Sequence, residues 1–417
     1  MTEPLSLPRL VATTREIEPA DTLLFASAES PLVWTRKGDG MVASGPDLLH
    51  IDVAEDGRIS AIADLWRAVS QATEVDDEVK IPGTGLVGFG AIAFDDESEL
   101  PSTLIVPTTI VGRRGGRGWV TRIAVADRLD PAEFGPTDLG GSWSATLGPG
   151  AMDPARHEMA VREALATIEH GDLRKIVIAR DIMGSVPRGS DLRRLVRALA
   201  NDYPDTWTYA VDGMIGASPE TLVTVHGGAV SARVLAGTHP RGADAAEDTG
   251  IPDALLSSEK DRAEHRFAID DVLASLKPHT TNLTPAGEPF ALELPNLWHL
   301  ATDVSGELAG GASALDLVRA LHPTAAVAGT PTDRAIEEIR RIEPFDRGRY
   351  AGPVGWIDGN GDGEWAIALR GAQFGPPTGR KRTVTAHAGG GIVAGSDPDA
   401  ELLETRVKFR PIVDALA

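Results

Sequence analysis

Residues 221–237 read TLVTVHGGAVSARVLAG, two β-like runs joined directly across His226, Gly227 and Gly228. A strand that turns straight back after two glycines pairs antiparallel with its neighbour, because a parallel neighbour needs a long crossover. GPVGWID (352–358) and EWAIALRGAQF (364–374) form a second hairpin of this kind around DGNGDGE (358–364). Before residue 150, TLLFAS (22–27), PLVWTR, LVGFGAIAF, TLIVPTTIV and WVTRIAVA are short β-like runs cut by Gly, Pro and Asp, with one helical stretch at SAIADLWRAVSQA. Hairpins with separated helices predict an α+β fold of mostly antiparallel sheet rather than a doubly wound parallel one.

The most loop-like stretch, TDLGGSWSATLGPGAM (137–152), sets the expected division: a β-rich part over 1–150 and a second region over 151–417, intertwined in one globular unit. It does not have the composition of a long flexible linker. After it, Asp153 as N-cap and Pro154 at the first helical position open a helix whose Val161, Leu165 and Ile168 share a face, closed by Gly171. The apolar strand IVIA follows. TWTYAV and TVTAHA are further strands, and SDPDAELLETRVKF is a closing helix.

The formal charge of −21 argues against a nucleic-acid surface or an anionic membrane, so an anionic ligand must be met by a few placed cations or a metal. With no cysteine there is no disulfide, no thiolate chemistry and no Cys-ligated metal. The N-terminus MTEPLSLPRL lacks a signal-peptide pattern and no apolar run is long enough to span a bilayer, so a cytoplasmic protein is expected.

Two glycine-bearing stretches invite over-reading. DGNGDGE copies the start of a calcium loop, but Leu369 stands where a bidentate Glu is required, so it reads as a turn. GGGIVA (389–394) lacks the chain length after it for a dinucleotide fold; what remains is a run of unshielded backbone N–H groups suited to a carboxylate. In EWAIALR, period two places Arg370 with Glu364, Ala366 and Ala368, a guanidinium beside a hollow. Capture of a carboxylate and a cross-strand salt bridge both fit that pattern.

SSEKDRAEHR (257–266) opens a helix with a dense charge run. A solvated first turn explains it, with Lys260, Arg262 and Arg266 pairing Glu259, Asp261 and Glu264. Asp261 and Glu264 also share one helical face, as do Glu401, Glu404 and Lys408 on the closing helix. Two such acidic ridges are an oxygen-rich ligand set of the kind magnesium prefers.

Taken together, KIVIAR (175–180), GASPETL (216–222), LAGTHPRG (235–242), SSEKDRAEH, LHPTAAVAGTP (321–331), RGRYAGPVGWIDGNGDGEWAIALR (347–370), AGGGIVAGSDP (388–398) and ELLETRVK (401–408) resemble the chorismate-utilising enzymes. That family includes isochorismate synthase, salicylate synthase, anthranilate synthase component I and aminodeoxychorismate synthase. The resemblance implies an anthranilate synthase component I-like fold with chorismate as substrate. It implies Mg2+ on Glu264 and Glu404, with Asp261 and Glu401 in or beside that shell. Lys175 would be the base that activates water, and Glu220 the acid that protonates the departing C4 hydroxyl. Arg370, Tyr350 and the backbone of Gly389, Gly390 and Gly391 would hold the enolpyruvyl carboxylate, with Thr238, Ala326, Val327 and Lys408 also lining the substrate site.

Within the family, ammonia-using relatives carry Gln where Lys175 stands, so water is the expected nucleophile, with no glutaminase subunit and a monomeric enzyme. Ala236 replaces the lysine of the PIKGT-like motif, which disfavours an aminodeoxychorismate synthase. Ala326-Val327 resembles the pair in members that stop at isochorismate, for menaquinone or siderophore synthesis; the alternative is salicylate synthase chemistry. A non-catalytic chorismate- or metal-binding protein on the same fold is the remaining reading.

Overall fold

The computed structural model describes residues 8–126, 135–241, 248–293 and 297–417, without the side chains of Thr238, Pro240, Lys260, Glu264 and Leu297. Its organising element is the long strand Ser102–Arg114, which pairs along one edge with Asp39–Val53 and along the other with Val87–Ala91 and Arg117–Val125. Two arms of sheet grow from this branch. One continues through Leu32–Arg36, Trp207–Val211, Met214–Ser218, Gly371–Thr378 and Lys381–Val393 to Lys175–Pro187. The other runs from Val87–Ala91 through Pro353–Asp358, Gly363–Ile367, Thr221–His226 and Ala229–Pro240 to Leu297–Leu308. Every neighbour along both arms is antiparallel, as the hairpin signals require; Leu10–Ile17 beside Glu74–Asp77 is a parallel pair. Strands from the first 150 residues thus hydrogen-bond into both arms.

Among the described residues, two short crossings pass directly from a strand of one arm to a strand of the other: Pro219-Glu220 after strand Met214–Ser218 and Ala368-Leu369-Arg370 after strand Gly363–Ile367. The second crossing corrects the expectation of one unbroken strand EWAIALRGAQF. The strand stops at Ile367, where Leu369 N–H turns back onto the Ile367 carbonyl at 2.8 Å. Arg370 has φ of 52°, so its direction comes from a left-handed residue and not from period two.

TLLFAS also departs from expectation, since Thr22–Phe25 is a short 3-10 turn with only Leu23 buried. A four-residue apolar run carries no period long enough to tell strand from helix. The helix Pro154–Glu169 forms as predicted, with Asp153 accepting the Arg156 N–H at 2.8 Å. The DGNGDGE segment is the turn of a hairpin: Asp358 accepts the N–H groups of Gly83, Asn360 and Asp362. In that buried setting, with Asp362 close by, its carboxyl is pushed up to about 7.

The 137–152 stretch is irregular but fixed. Gly140 N–H bonds Asp191 at 2.7 Å, the Trp143 indole bonds the Asp191 carbonyl at 2.8 Å, and Ala145 N–H bonds the Leu416 carbonyl at 2.8 Å. Across the core, the indoles of Trp34 and Trp356 both donate to Glu364 Oε2, at 2.7 and 3.1 Å, while Arg114 and His226 hold Oε1. Among the described residues no helix is long and apolar enough to cross a membrane.

The helix Pro398–Leu416 lies on strand Lys381–Val393, and helix Glu259–Leu276 lies on Ala229–Pro240 and Leu297–Leu308. Each acidic ridge is therefore carried on a different arm.

Candidate active site

Glu220 sits at the first crossing. Burial raises its carboxyl pKa, against the opposing pull of Lys175, Lys408 and Arg370, all close enough to act on it. Those three cations come from a strand, a helix and the second crossing, so the crossing points gather groups that are far apart in sequence. Burial lowers the Arg370 pKa, while Tyr350, Glu404, Tyr203 and Glu220 favour its charge.

Tyr350 is buried at 5% exposure and its phenol is pushed up to about 12 by burial, so it keeps its proton and can donate to an anion. Its ring stacks on His387, with centroids 5.3 Å apart, and the Arg347 guanidinium lies 5.9 Å from its centroid. Arg347 is locked by Glu343 at 2.6 Å and by the carbonyls of Val327 and Val177 at 2.9 and 2.8 Å.

The three glycines form strand rather than loop, paired as Gly389 with Ala179, Gly390 with Ile178 and Gly391 with Val177. Val177 N–H goes to the Ala328 carbonyl and Ala179 N–H to Glu343, so both residues point their polar groups away from this ladder. In an antiparallel pair the partner does the same. Gly389 and Gly391 therefore turn N–H and C=O toward the open edge: Gly389 N–H meets the Tyr350 phenol, and the Gly389 carbonyl accepts Lys408 Nζ at 2.7 Å. Gly390 spends its polar groups within the ladder, which corrects the reading of three consecutive N–H groups presented to a carboxylate. Its lack of a side chain makes room instead, since a methyl there would lie 2.6 Å from Glu401 Oε2 and 3.9 Å from Glu404 Oε1.

Lys175 begins the strand Lys175–Pro187, half-buried, and a methyl at Gly391 would lie 2.9 Å from its Cε. Lys408 also pairs Glu404 at 2.5 Å. Glu401 Oε2 is buried without a hydrogen-bond partner, and burial, joined by the nearby Glu404, raises the carboxyl's pKa although Ser396 bonds it. An orphaned carboxylate oxygen next to a second carboxylate fits a hard cation. Among the described residues, however, no group of three or more His, Asp or Glu forms a metal cluster.

Glu264 and Thr238 lie outside the described side chains. Asp261 lies half-buried in the first turn of its helix, its N–H capped by Ser258 at 3.2 Å and its Cβ 3.3 Å from where a methyl at Gly237 would be. Of the expected pairing of the charge run, the part that involves Lys260 and Glu264 lies outside the described side chains; Arg262 and Arg266 are exposed, and among the described residues neither makes an ion pair with Glu259 or Asp261. Val327 is buried in the core and Ala326 is exposed.

Sequence reasoning missed His299. Burial lowers its imidazole to about 4, it bonds the Gly237 backbone, and Lys175, Lys408 and Glu404 all lie near enough to act on it. It links the Asp261 side of the site to the Glu404 side. In WHLATDV a lone His on an apolar strand has no distinguishing signal.

The model of the family described as "Chorismate binding enzyme" matches residues 142–417. The MenF protein of Mycobacterium tuberculosis is 37% identical over 350 residues, covering 80% of this chain and 87% of that protein. Isochorismate synthase DhbC of Bacillus subtilis is 40% identical over 276 residues, covering 63% of this chain and 68% of that protein. The crystal structure of DhbC from Bacillus anthracis superposes with a TM-score of 0.72 at 33% identity, covering 95% of this chain and 98% of that one.

Proposed function

Because the chain belongs to the chorismate-binding enzymes, we propose that it acts as an isochorismate synthase, adding water at C2 of chorismate as the C4 hydroxyl leaves. The observation that carries this reading is Glu220, a carboxyl whose pKa burial raises, with Lys175, Lys408 and Arg370 near enough to act on it. The water oxygen bonds C2, the two ring double bonds each shift by one position, and the C4–O bond breaks. Lys175, reacting in its deprotonated form, takes the proton from the water, and Glu220 gives one to the departing hydroxide, so substrate and product are isomers. A raised carboxyl pKa serves the acid role near neutral pH.

Arg370 and the Tyr350 phenol hold the enolpyruvyl carboxylate, with the outward N–H of Gly391 in reach of the same edge. Glu401 and Glu404, with Asp261 and Glu264, would hold Mg2+, whose charge would neutralise the ring carboxylate. The orphaned oxygen of Glu401 supports that set. Lys175 in place of a glutamine favours water over ammonia, so the enzyme works as a monomer without a glutaminase subunit. Its product feeds menaquinone or siderophore synthesis.

The test is incubation with chorismate and Mg2+, followed by proton NMR. Isochorismate without pyruvate is expected. Stoichiometric salicylate and pyruvate would place the chain with the lyase-competent members instead.

A further inference from the structure

Ser218 ends the strand Met214–Ser218, just before the crossing that carries Glu220, and it is 0% exposed. Its hydroxyl donates to the Ile367 carbonyl at 2.6 Å and accepts the Glu220 N–H at 3.2 Å. Ile367 N–H in turn bonds the Glu220 carbonyl at 3.0 Å, and Ala217 N–H bonds the Arg370 carbonyl at 3.2 Å. Tyr209, fully buried, donates its phenolic proton to the Leu369 carbonyl at 3.0 Å. The two crossings are therefore laced to each other, residue by residue, and the Ser218 side chain bonds both Glu220 in the first and Ile367 at the start of the second.

A hydroxyl is the smallest side chain that donates and accepts at once. Alanine would leave the half-buried Glu220 N–H without its acceptor and would take one of two donors from the buried Ile367 carbonyl, which keeps only Leu369 N–H; the lost pair is what ties the backbone of Glu220 to the second crossing. The Glu220 carboxyl itself lies near enough to be acted on by Lys175 from the strand Lys175–Pro187, Lys408 from the closing helix and Arg370 from the second crossing. Its position among three cations depends on a backbone that does not drift.

We infer that Ser218 is a positioning residue for the reaction, holding the backbone of Glu220 in register with the Ile367–Arg370 crossing so that the acid reaches the leaving hydroxyl. This rests on the reading of Glu220 as the acid. A residue that acts through Glu220 affects turnover and its pH dependence, whereas one that merely supports the fold affects melting alone.

The experiment compares wild type, Ser218→Ala, Ser218→Cys and Glu220→Gln by kcat and KM for chorismate across pH, with Tm alongside. Ser218→Ala is expected to lower kcat about tenfold with KM within about twofold, short of the about 10²–10⁴-fold that a general acid contributes. Activity is lost as pH rises through the pKa of an acid, and a loosened, better hydrated Glu220 titrates lower. The basic limb of the kcat profile should therefore move down by about half a pH unit. Ser218→Cys, which keeps a weak donor and acceptor in similar volume, should fall between and serves if the alanine variant does not fold. Wild-type kcat and pH profile in the folded Ser218 variants, whatever their Tm, would overturn the inference while an inactive Glu220→Gln left the acid assignment standing. Full turnover in Glu220→Gln would overturn both.

Discussion

Replacing Gly389, Gly390 and Gly391 by alanine one at a time should produce three different defects, because each added methyl meets a different kind of atom. At Gly390 the methyl would sit 2.6 Å from Glu401 Oε2, where ordinary contact begins near 3.4 Å. The carboxylate must retreat by about 0.8 Å, well beyond the about 0.2 Å within which metal–ligand distances hold. The end of a glutamate side chain can swing away, so the fold should lose little. With Glu401 at the proposed Mg2+ site, a disturbance of this kind lowers metal affinity by about 10–100-fold, and the Mg2+ concentration for half-maximal activity should rise at least about tenfold. At Gly391 the methyl would lie 2.9 Å from Lys175 Cε and 3.6 Å from Nζ. That variant should lose kcat while its Mg2+ requirement stays the same. At Gly389 the methyl would meet the Ile178 carbonyl oxygen at 2.8 Å and Ala179 Cα at 3.1 Å, backbone that cannot step aside. Overpacking of this kind costs about 1–3 kcal/mol, so the third variant should show the lowest melting temperature. The assays are Mg2+ titration of initial rate, kcat at saturating Mg2+, and thermal melting of each variant. An unchanged Mg2+ half-saturation in Gly390→Ala, or three variants with one common defect, would refute the reasoning.

Two further outcomes follow from buried charge. Lys175→Ala should lower turnover by about 10²–10⁴-fold, the usual contribution of a positioned base, while calorimetry still detects chorismate binding in the presence of Mg2+; an unchanged rate would remove Lys175 from the base role. Burial pushes Glu364 up, but the hydrogen bond from His226, the charges of Arg114 and His226 and the Trp34 indole outweigh it and hold the carboxyl at about 2, below its ordinary 4.5. A carboxyl depressed by folding adds stability above its unfolded value and surrenders it as pH falls through the folded one. The melting temperature of wild type should therefore drop toward that of Glu364→Gln between about pH 4.5 and pH 2; a constant difference across that range would argue against an ionised Glu364.

Local chemistry along the chain determines much of this protein. The HGG hairpin, the Asp153-Pro154 helix start, the DGNGDGE turn and the closing helix follow from turn glycines, caps and periodicity, which act over a few residues and so are written in adjacent letters. The motif residues Lys175, Glu220, Tyr350, Arg370, Glu401, Glu404 and Lys408 are legible from their neighbours as well. Tertiary structure decides how they combine. Nothing near Gly390 in the chain reveals that Glu401 approaches it, and the division of labour among three identical glycines depends on which edge of a ladder each one faces. Arg370 owes its direction to a left-handed residue at a crossing between two arms of sheet, not to the period of the strand before it. His299 and Ser218 read as ordinary core residues because their partners lie on strands distant in sequence. Hydrogen bonding and electrostatics depend on distance in space, and where side chains of strands Lys175–Pro187 and Leu297–Leu308 come near enough to act on each other, that distance is set by sheet register across hundreds of residues.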